Sequence, residues 1–579
     1  MAVNVTKKQD EQTSPLRRYW REGLVLVLFF VAANALAWRA VHLQVEQREF
    51  LASQGDRRHE RVLPIPAHRG QITDRNGEPL AISVPVETVW ANPRELSQHL
   101  DRLPAVAQIL GMDARKLIGD VQGQAERQFM YVRRHLPPEV GQQVRSLRVP
   151  GLYLQREYRR FYPGGEVMSH VVGFTNIDDE AQEGVERTYD EWLRGEPGAR
   201  RVIKDLRGGV VEELDMIREA RPGKTVPLSI DRRLQYLAYR ELKVGVEENA
   251  ARAGTAVLLD VRTGEVLAMV NLPSYNPNNR QDIRPEALRN RAMIDMFEPG
   301  STMKPFSVIA ALESGKFRPE SPIDTAPGYM KVDRFTIRDH HNYGLLDVTG
   351  VIRKSSNIGV TKMAMVIGKE RLWDLYDRLG FGHASGLGFP GESSGRLLHF
   401  RDWSGSDIAT HAYGYGMSVT AAQLAQAYAV MANHGRRVPV SLLRVDVPPE
   451  GEPVISSEVA DVMLRMMEEV TKDGGTGTRA RVAGFRVAGK TGTARKSEAG
   501  GYASDKYVAV FAGVAPASRP RLALVVMIDE PSEGAYYGGQ VAGPIFSRIM
   551  NGALRLLNVT PDDLPAGQQI ARIAPEART

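Results

Sequence analysis

A chain of 579 residues exceeds what one hydrophobic core organises, and 42% hydrophobic content is enough for two to four cooperative units with disorder confined to the ends. Its 75 basic and 69 acidic residues leave a thinly spread net charge of +6, with no aromatic-interleaved basic stripe and no Cys/His zinc spacing, so no nucleic-acid partner is expected. Cysteine is absent, which excludes disulfides, thiolate catalysis and thiolate-bound metal.

At the N-terminus, Lys7, Lys8, Arg17, Arg18 and Arg21 precede an apolar run over 23–38 that only Asn34 interrupts, and Arg39 with His42 closes it. At about 1.5 Å per residue this run falls short of a bilayer core of roughly 30 Å, and continuation to Leu43 with Arg39 snorkelling supplies the missing length. Segment 1–22 therefore reads as a cytoplasmic tail and 23–43 as a single membrane-spanning helix, because a basic flank stays on the cytoplasmic side. Ala33, Ala35 and Ala37 also permit signal-peptide cleavage, but the pattern runs on through Val41, Leu43, Val45 and Phe50, which favours an uncleaved anchor. Both readings put the rest of the chain outside the cytoplasm.

The segment 44–223 is mixed and chemically silent. A short strand is expected over 81–84, with amphipathic helices over 93–110 and 114–125. Arg69-Gly70-Gln71-Ile72-Thr73-Asp74-Arg75-Asn76-Gly77 is a strand-turn signal, since Asn-Gly readily adopts positive φ. Arg160-Phe161-Tyr162-Pro163 and Gly184-Val185-Glu186 read as packing or interdomain elements. Arg221-Pro222-Gly223-Lys224 punctuates the chain, and a domain boundary belongs near Gly223.

A helix over 232–248 and a strand over 255–259 open the next unit, 224–555, and strands over 507–513 and 522–528 come near its end, so a sheet packed by helices is expected. Residues 556–579, rich in Pro, Asp and Gln, should form a loose tail.

Three strings in this unit carry chemistry together. Glu298-Pro299-Gly300 leads into Ser301, and Met303, Phe306, Ile309 and Ala310 mark a buried helix with Ser301 at its mouth, an early position where Pro305 is tolerated. The three-residue step sets Lys304 on the same face as Ser301. A serine hydroxyl needs a base, and a desolvated lysine can accept its proton. Ser355-Ser356-Asn357 follows, with Ser355 able to relay a proton and Asn357 to orient a substrate backbone and the lysine; helix caps are the alternative. Lys490-Thr491-Gly492-Thr493 then offers an edge strand that can pair with an extended peptide. Gly492 allows close approach, Thr491 and Thr493 can bind a carboxylate, and Lys490 with Arg495 adds positive potential. Asp339-His340-His341-Asn342 has two histidines but no spaced second cluster, so a structural or hydrogen-bonding role outranks a metal.

The ordered set resembles the penicillin-binding transpeptidases, and serine β-lactamases share the same motifs. The elements at 69–77, 160–163 and 184–186 resemble the pedestal of the class B members. Asn290-Arg291-Ala292 leading to Phe297 and Ser301, with Tyr413-Gly414-Tyr415-Gly416, is similar to the cell-division branch, a cell-elongation paralogue being the nearer alternative. The resemblance implies an α+β fold: a membrane-anchored, elongated pedestal followed by a transpeptidase domain with an antiparallel sheet. It implies Ser301, Lys304, Ser355, Asn357 and Lys490 as catalytic residues. Glu298, Ser356, Thr491, Gly492, Thr493, Arg495, Tyr415, Tyr536 and Tyr537 are implied as residues that bind substrate or β-lactam, with an oxyanion site at the Ser301 and Thr493 amides. Peptidoglycan stem peptides and β-lactams are the implied ligands, and a membrane glycan polymerase and division proteins the implied partners; no cofactor is implied. No glycosyltransferase-like segment precedes Gly223, and no counterpart of a β-lactamase deacylating glutamate is assignable. A drug-binding sensor or scaffold without transpeptidation is the remaining alternative.

Overall fold

Helix α1 (Pro15–Val41) contains a 22-residue apolar span, Trp20–Val41, every residue of which is exposed among the described residues. At about 1.5 Å per residue the span is about 33 Å long, which matches the hydrocarbon core of a bilayer. Among the described residues it is the one helix long and apolar enough to cross a membrane. The computed structural model describes residues 15–43, 60–204, 210–281, 283–498 and 501–564. Most of the expected cytoplasmic tail lies outside them. The helix starts before the expected span because Arg17, Arg18 and Arg21 are good helix formers and extend it ahead of the apolar run.

The segment after the anchor builds two sheets. Glu60–Ile65 runs antiparallel to Gly198–Lys204, which pairs with Val210–Arg218. The long strand Pro79–Ala91, far longer than the expected 81–84, pairs with Met130–Leu136 and Leu152–Phe161. Helices Leu103–Leu110, Ala114–Gly123 and Pro138–Ser146 cover it with Val106, Leu110, Leu117, Val121 and Val144. The single helix expected over 93–110 is divided: His99 leaves helical geometry at φ −130°, and Pro104 sits in the first turn of a new helix, where its missing donor costs nothing.

The three elements singled out in the sequence meet in one buried ion network. Arg69 donates to Glu186 Oε2 and to Asp190 Oδ1, each at 2.7 Å, and Arg160 donates to Glu186 Oε1 at 2.6 Å. Arg69 and Glu186 are inaccessible to solvent, so each charge depends on its partners for what water would have supplied. Burial opposes the Arg69 charge, but Glu186 and Asp190 outweigh it and raise its pKa.

The sheet also reaches across the expected boundary. Ile72–Thr73 pairs in parallel with Val226–Pro227, beyond Gly223, so the first domain takes its last strand from residues assigned to the second. Apolar packing continues across the junction, where Ile72, Leu80 and Val185 share a cluster with Val257, Val266 and Met303. Arg75 pairs with Glu265 at 3.2 Å, and Arg280 donates to Thr175 O at 2.6 Å.

The second domain begins with α2 (Arg232–Glu248), β1 (Ala253–Asp260) and β2 (Val266–Leu272). Helices α3 (Lys304–Glu313), α4 (Val348–Lys354), α5 (Asn357–Ile367) and α6 (Ala421–Ala432) follow, then β3 (Ala488–Glu498), β4 (Gly501–Ala515), β5 (Leu522–Asp529) and α7 (Gly538–Leu556). The sheet order is β2-β1-β5-β4-β3, antiparallel throughout. Every residue of β1 and β5 is buried, since α2 and α7 cover one face through Leu234, Leu242 and Phe546 while α6 covers the other through Leu424 and Met431. Two-sided burial explains their unbroken apolar runs. Strand β3 lies at the edge.

Residues 557–564 are not a loose tail. Asp562 accepts from Arg486 N at 2.8 Å and from Ser518 Oγ at 2.6 Å, which docks the segment after α7. Residues 565–579 lie outside the described set.

Replacing Glu186 by alanine leaves the buried Arg160 without a carboxylate partner and Arg69 with Asp190 alone. Denaturant unfolding of the Glu186→Ala chain should show a loss of about 3–5 kcal/mol, and a loss under about 1 kcal/mol would mean that the network does not stabilise the pedestal.

Candidate active site

Ser301 sits on the 3-10 turn Gly300–Met303, and α3 begins at Lys304 with Pro305 in its first turn. The expected helix mouth is thus a tighter turn, in which residues three apart stack over one another, and Lys304 follows Ser301 at that spacing. Lys304 is fully buried. Its ammonium donates to Ser355 O at 2.5 Å and to Ser355 Oγ at 3.1 Å.

Ser355 ends α4 in the left-handed region, at φ 57° and ψ 43°. That conformation costs a non-glycine residue about 1–2 kcal/mol, and it reverses the chain so that α5 starts two residues later. From β3, Lys490 donates to the same hydroxyl at 2.9 Å and to Thr491 O at 3.2 Å. One serine oxygen therefore stands between two buried lysines. Burial lowers the Lys304 pKa to about 7, against an opposing pull from Asp339. Lys490 is pushed well below its ordinary value by burial and then by repulsion from Lys304.

A groove of about 620 Å³ opens over this centre, lined by Ser301, Ser355, Asn357, Tyr415, Thr491, Thr493, Arg495, Tyr536 and Tyr537. Edge strand β3 forms one side. Thr491 shares a hydrogen bond with Thr476 at 2.9 Å, Thr493 Oγ1 accepts from Gly538 N at 3.0 Å, and the Tyr415 hydroxyl donates to Thr493 O at 3.4 Å.

Two residues expected to bind ligand lie outside the groove, and two expected catalytic residues are held by partners that the sequence reading did not name. Ser356 has no exposed surface: its hydroxyl caps α5 by accepting from Gly359 N at 2.9 Å and donates to Asp339 at 2.5 Å, so it builds the helix end and is out of a ligand's reach. Glu298 lies outside the groove, facing a neighbouring cavity, where Oε1 accepts from Gly416 N and Tyr502. Burial raises its pKa. Asn357 lines the groove but donates to Arg338 O at 2.8 Å, and the lysine is held by Ser355 instead. Lys490 is enclosed behind Ser355 and its charge is opposed, so the exposed cation of the rim is Arg495. The close approach at Gly492 is internal: a Cβ there would meet Thr302 Cγ2 at 2.8 Å and Pro299 O at 2.9 Å, seating β3 on the Ser301 turn.

Sequence reading gave no groove role to Thr476, Tyr507 or Gln540, nor to His340 and His341, which line it as well. Only the His-His pair carried a signal, and it was weighed as a metal motif. Among the described residues no group of three His, Cys, Asp or Glu side chains could hold a metal ion.

Residues 254–551 match the family of the penicillin binding protein transpeptidase domain, and residues 64–228 match the penicillin-binding protein dimerisation domain. The probable peptidoglycan D,D-transpeptidase PbpC of Pseudomonas aeruginosa is 44% identical over 558 residues, covering 96% of this chain and 99% of that protein. The peptidoglycan D,D-transpeptidase FtsI of Escherichia coli is 43% identical over 568 residues, covering 97% of this chain and 96% of that one. Among solved structures, the transpeptidase domain of Burkholderia pseudomallei penicillin-binding protein 3 aligns with a TM-score of 0.55 at 44% identity, covering 58% of this chain and 98% of its own. A peptidoglycan synthetase of Bifidobacterium adolescentis, 24% identical, shares the fold over 88% of this chain and 98% of its own with a TM-score of 0.70. With a dimerisation-domain pedestal followed by a transpeptidase domain, and relatives of this identity over nearly its whole length, the chain belongs to the class B penicillin-binding protein transpeptidases.

Proposed function

We propose that this chain is the septal peptidoglycan D,D-transpeptidase of its cell, crosslinking stem peptides through an acyl-enzyme on Ser301 and inactivated by β-lactams at the same residue. The observation that carries the reading is the Ser355 hydroxyl between Lys304 and Lys490 at the floor of the Ser301 groove. Relatives named FtsI support the septal assignment.

Lys304 takes the Ser301 proton, and Oγ attacks the penultimate D-Ala carbonyl. The tetrahedral oxyanion is met by the Ser301 and Thr493 amides. The carbonyl carbon–nitrogen bond breaks, and Ser355, resupplied from the lysines, delivers the proton that the departing D-Ala nitrogen needs. An amine of a second stem peptide then attacks the ester, loses a proton through the same groups and frees Ser301. A β-lactam opens onto Ser301 in the first step, but its leaving nitrogen stays tethered and obstructs the amine. Thr491 and Thr493 hold the donor carboxylate, Arg495 supplies charge at the rim, and Tyr415, Tyr536 and Tyr537 form walls. Helix α1 anchors the chain in the inner membrane with its N-terminus cytoplasmic, and the pedestal with α1 is the contact surface for a glycan polymerase and division proteins.

Intact-protein mass after exposure to benzylpenicillin should show one drug added to the wild type and none to Ser301→Ala. Rapid drug hydrolysis without an adduct would make the chain a β-lactamase, and neither adduct nor hydrolysis across several β-lactams would sink the serine site.

The lysine makes a signed prediction in pH. Because Lys304 must be neutral to act as base, the second-order acylation rate should rise with pH through about 7 and level off above it. Lys304→Met should slow acylation by about 10²–10⁴-fold and remove that limb. The unfolded lysine titrates near ~10.4, so between about 7 and ~10.4 the unfolded chain binds more protons and stability rises with pH. Lys304→Met should be at least as stable as wild type at pH 7 and show a shallower slope, Lys490 keeping its own share, while a clear loss of stability would show that the lysine holds the fold together.

A further inference from the structure

The groove is one-sided in charge. The cations Lys354 and Arg495 line it together with the His340 and His341 rings, and no aspartate or glutamate does so among the described residues. Such a groove suits an anionic ligand.

Its aromatic wall runs between two nitrogen-bearing groups. The His340 ring meets Tyr537 edge-on at 5.8 Å, Tyr537 meets Tyr536 at 4.4 Å, Tyr536 stacks on Tyr507 at 4.3 Å, and the Arg495 guanidinium lies 5.9 Å from the Tyr507 ring centre. Arg495 closes one end of this series and the His340 imidazole the other.

His340 is held in register with the reacting centre by its neighbour. The Asp339 carboxylate accepts from Asn357 N at 2.6 Å, Ile358 N at 3.1 Å and Ser356 Oγ at 2.5 Å, which ties residue 340 to the helix end next to Ser355. Partial burial and then the nearby Lys304 lower the His340 pKa, with His341 and Lys490 acting the same way and Asp339 opposing. The shift favours the neutral imidazole, which has a ring N–H to donate.

We propose that His340 is a specificity residue of this groove, donating to a carboxylate on the acyl side chain, so that donors with a carboxylate beyond the C-terminal one acylate Ser301 in preference to neutral ones. In a β-lactam the same group would sit on the side chain attached to the ring amide. The inference rests on the transpeptidase reading above.

Benzylpenicillin and carbenicillin differ by a single side-chain carboxylate, and their second-order acylation rates can be compared on the full chain in detergent. In His340→Val the carbenicillin-to-benzylpenicillin ratio should fall about tenfold, the carbenicillin rate falling much further than the benzylpenicillin rate. His340→Gln keeps an N–H donor and should recover most of the ratio. An unchanged ratio in both variants would overturn the proposal, and so would an equal fall in both rates, which marks a structural role. Failure of both drugs to acylate the wild type would instead overturn the transpeptidase reading, and this inference with it.

Discussion

Two ammonium groups removed from water around one hydroxyl are the constraint on which this active site depends. Lys304 and Lys490 are both fully buried and both donate to Ser355 Oγ, so burial makes each costly to charge and Lys304 adds to the cost for Lys490. That cost is the useful quantity, because a lysine left in water would stay protonated at neutral pH and could not take a proton from serine. The fold sustains the arrangement by drawing its parts from separate elements: the turn before α3, the strained end of α4, and edge strand β3.

The same logic, with the opposite sign, governs the pedestal. Arg69, Arg160, Glu186 and Asp190 are mutually paired, so each buried charge meets an opposite one, and the network joins segments more than a hundred residues apart. A compensated ion cluster gives the pedestal a defined junction, whereas an uncompensated lysine pair gives the catalytic domain a reactive one. Parallel pairing of Ile72–Thr73 with Val226–Pro227 and the shared apolar cluster make the two domains a packed unit, and the groove opens in the domain that follows the junction.

Much of the catalytic domain could be read directly. The helix at Arg232–Glu248 and the strands Ala253–Asp260 and Leu522–Asp529 announce themselves through period and β-branched content, which are local properties. Ser301, Lys304, Ser355 and Lys490 were legible because ordered motifs carry information that one Ser-x-x-Lys does not. Ser356 was misread because a buried helix cap and a ligand-binding hydroxyl look identical in sequence, and only burial distinguishes them. Glu298 faces a neighbouring cavity, while Asn357 does line the groove and also donates to Arg338 O, because adjacency to a motif residue does not say which way a side chain turns. The division of 93–110 hinged on Pro104, whose position in a first turn depends on where the preceding helix stops.

The sequence by itself determined the family, the apolar N-terminal helix and the motif residues Ser301, Lys304, Ser355 and Lys490 that the fold brings together, since these rest on residue identity, order and composition. Tertiary structure alone decided that Ser355 is shared by two lysines, that β3 is an edge strand seated on the Ser301 turn through Gly492, and that His340 ends an aromatic wall. These are consequences of which surfaces bury one another. Desolvation, which sets the lysine's proton affinity, comes into being only when distant segments pack together.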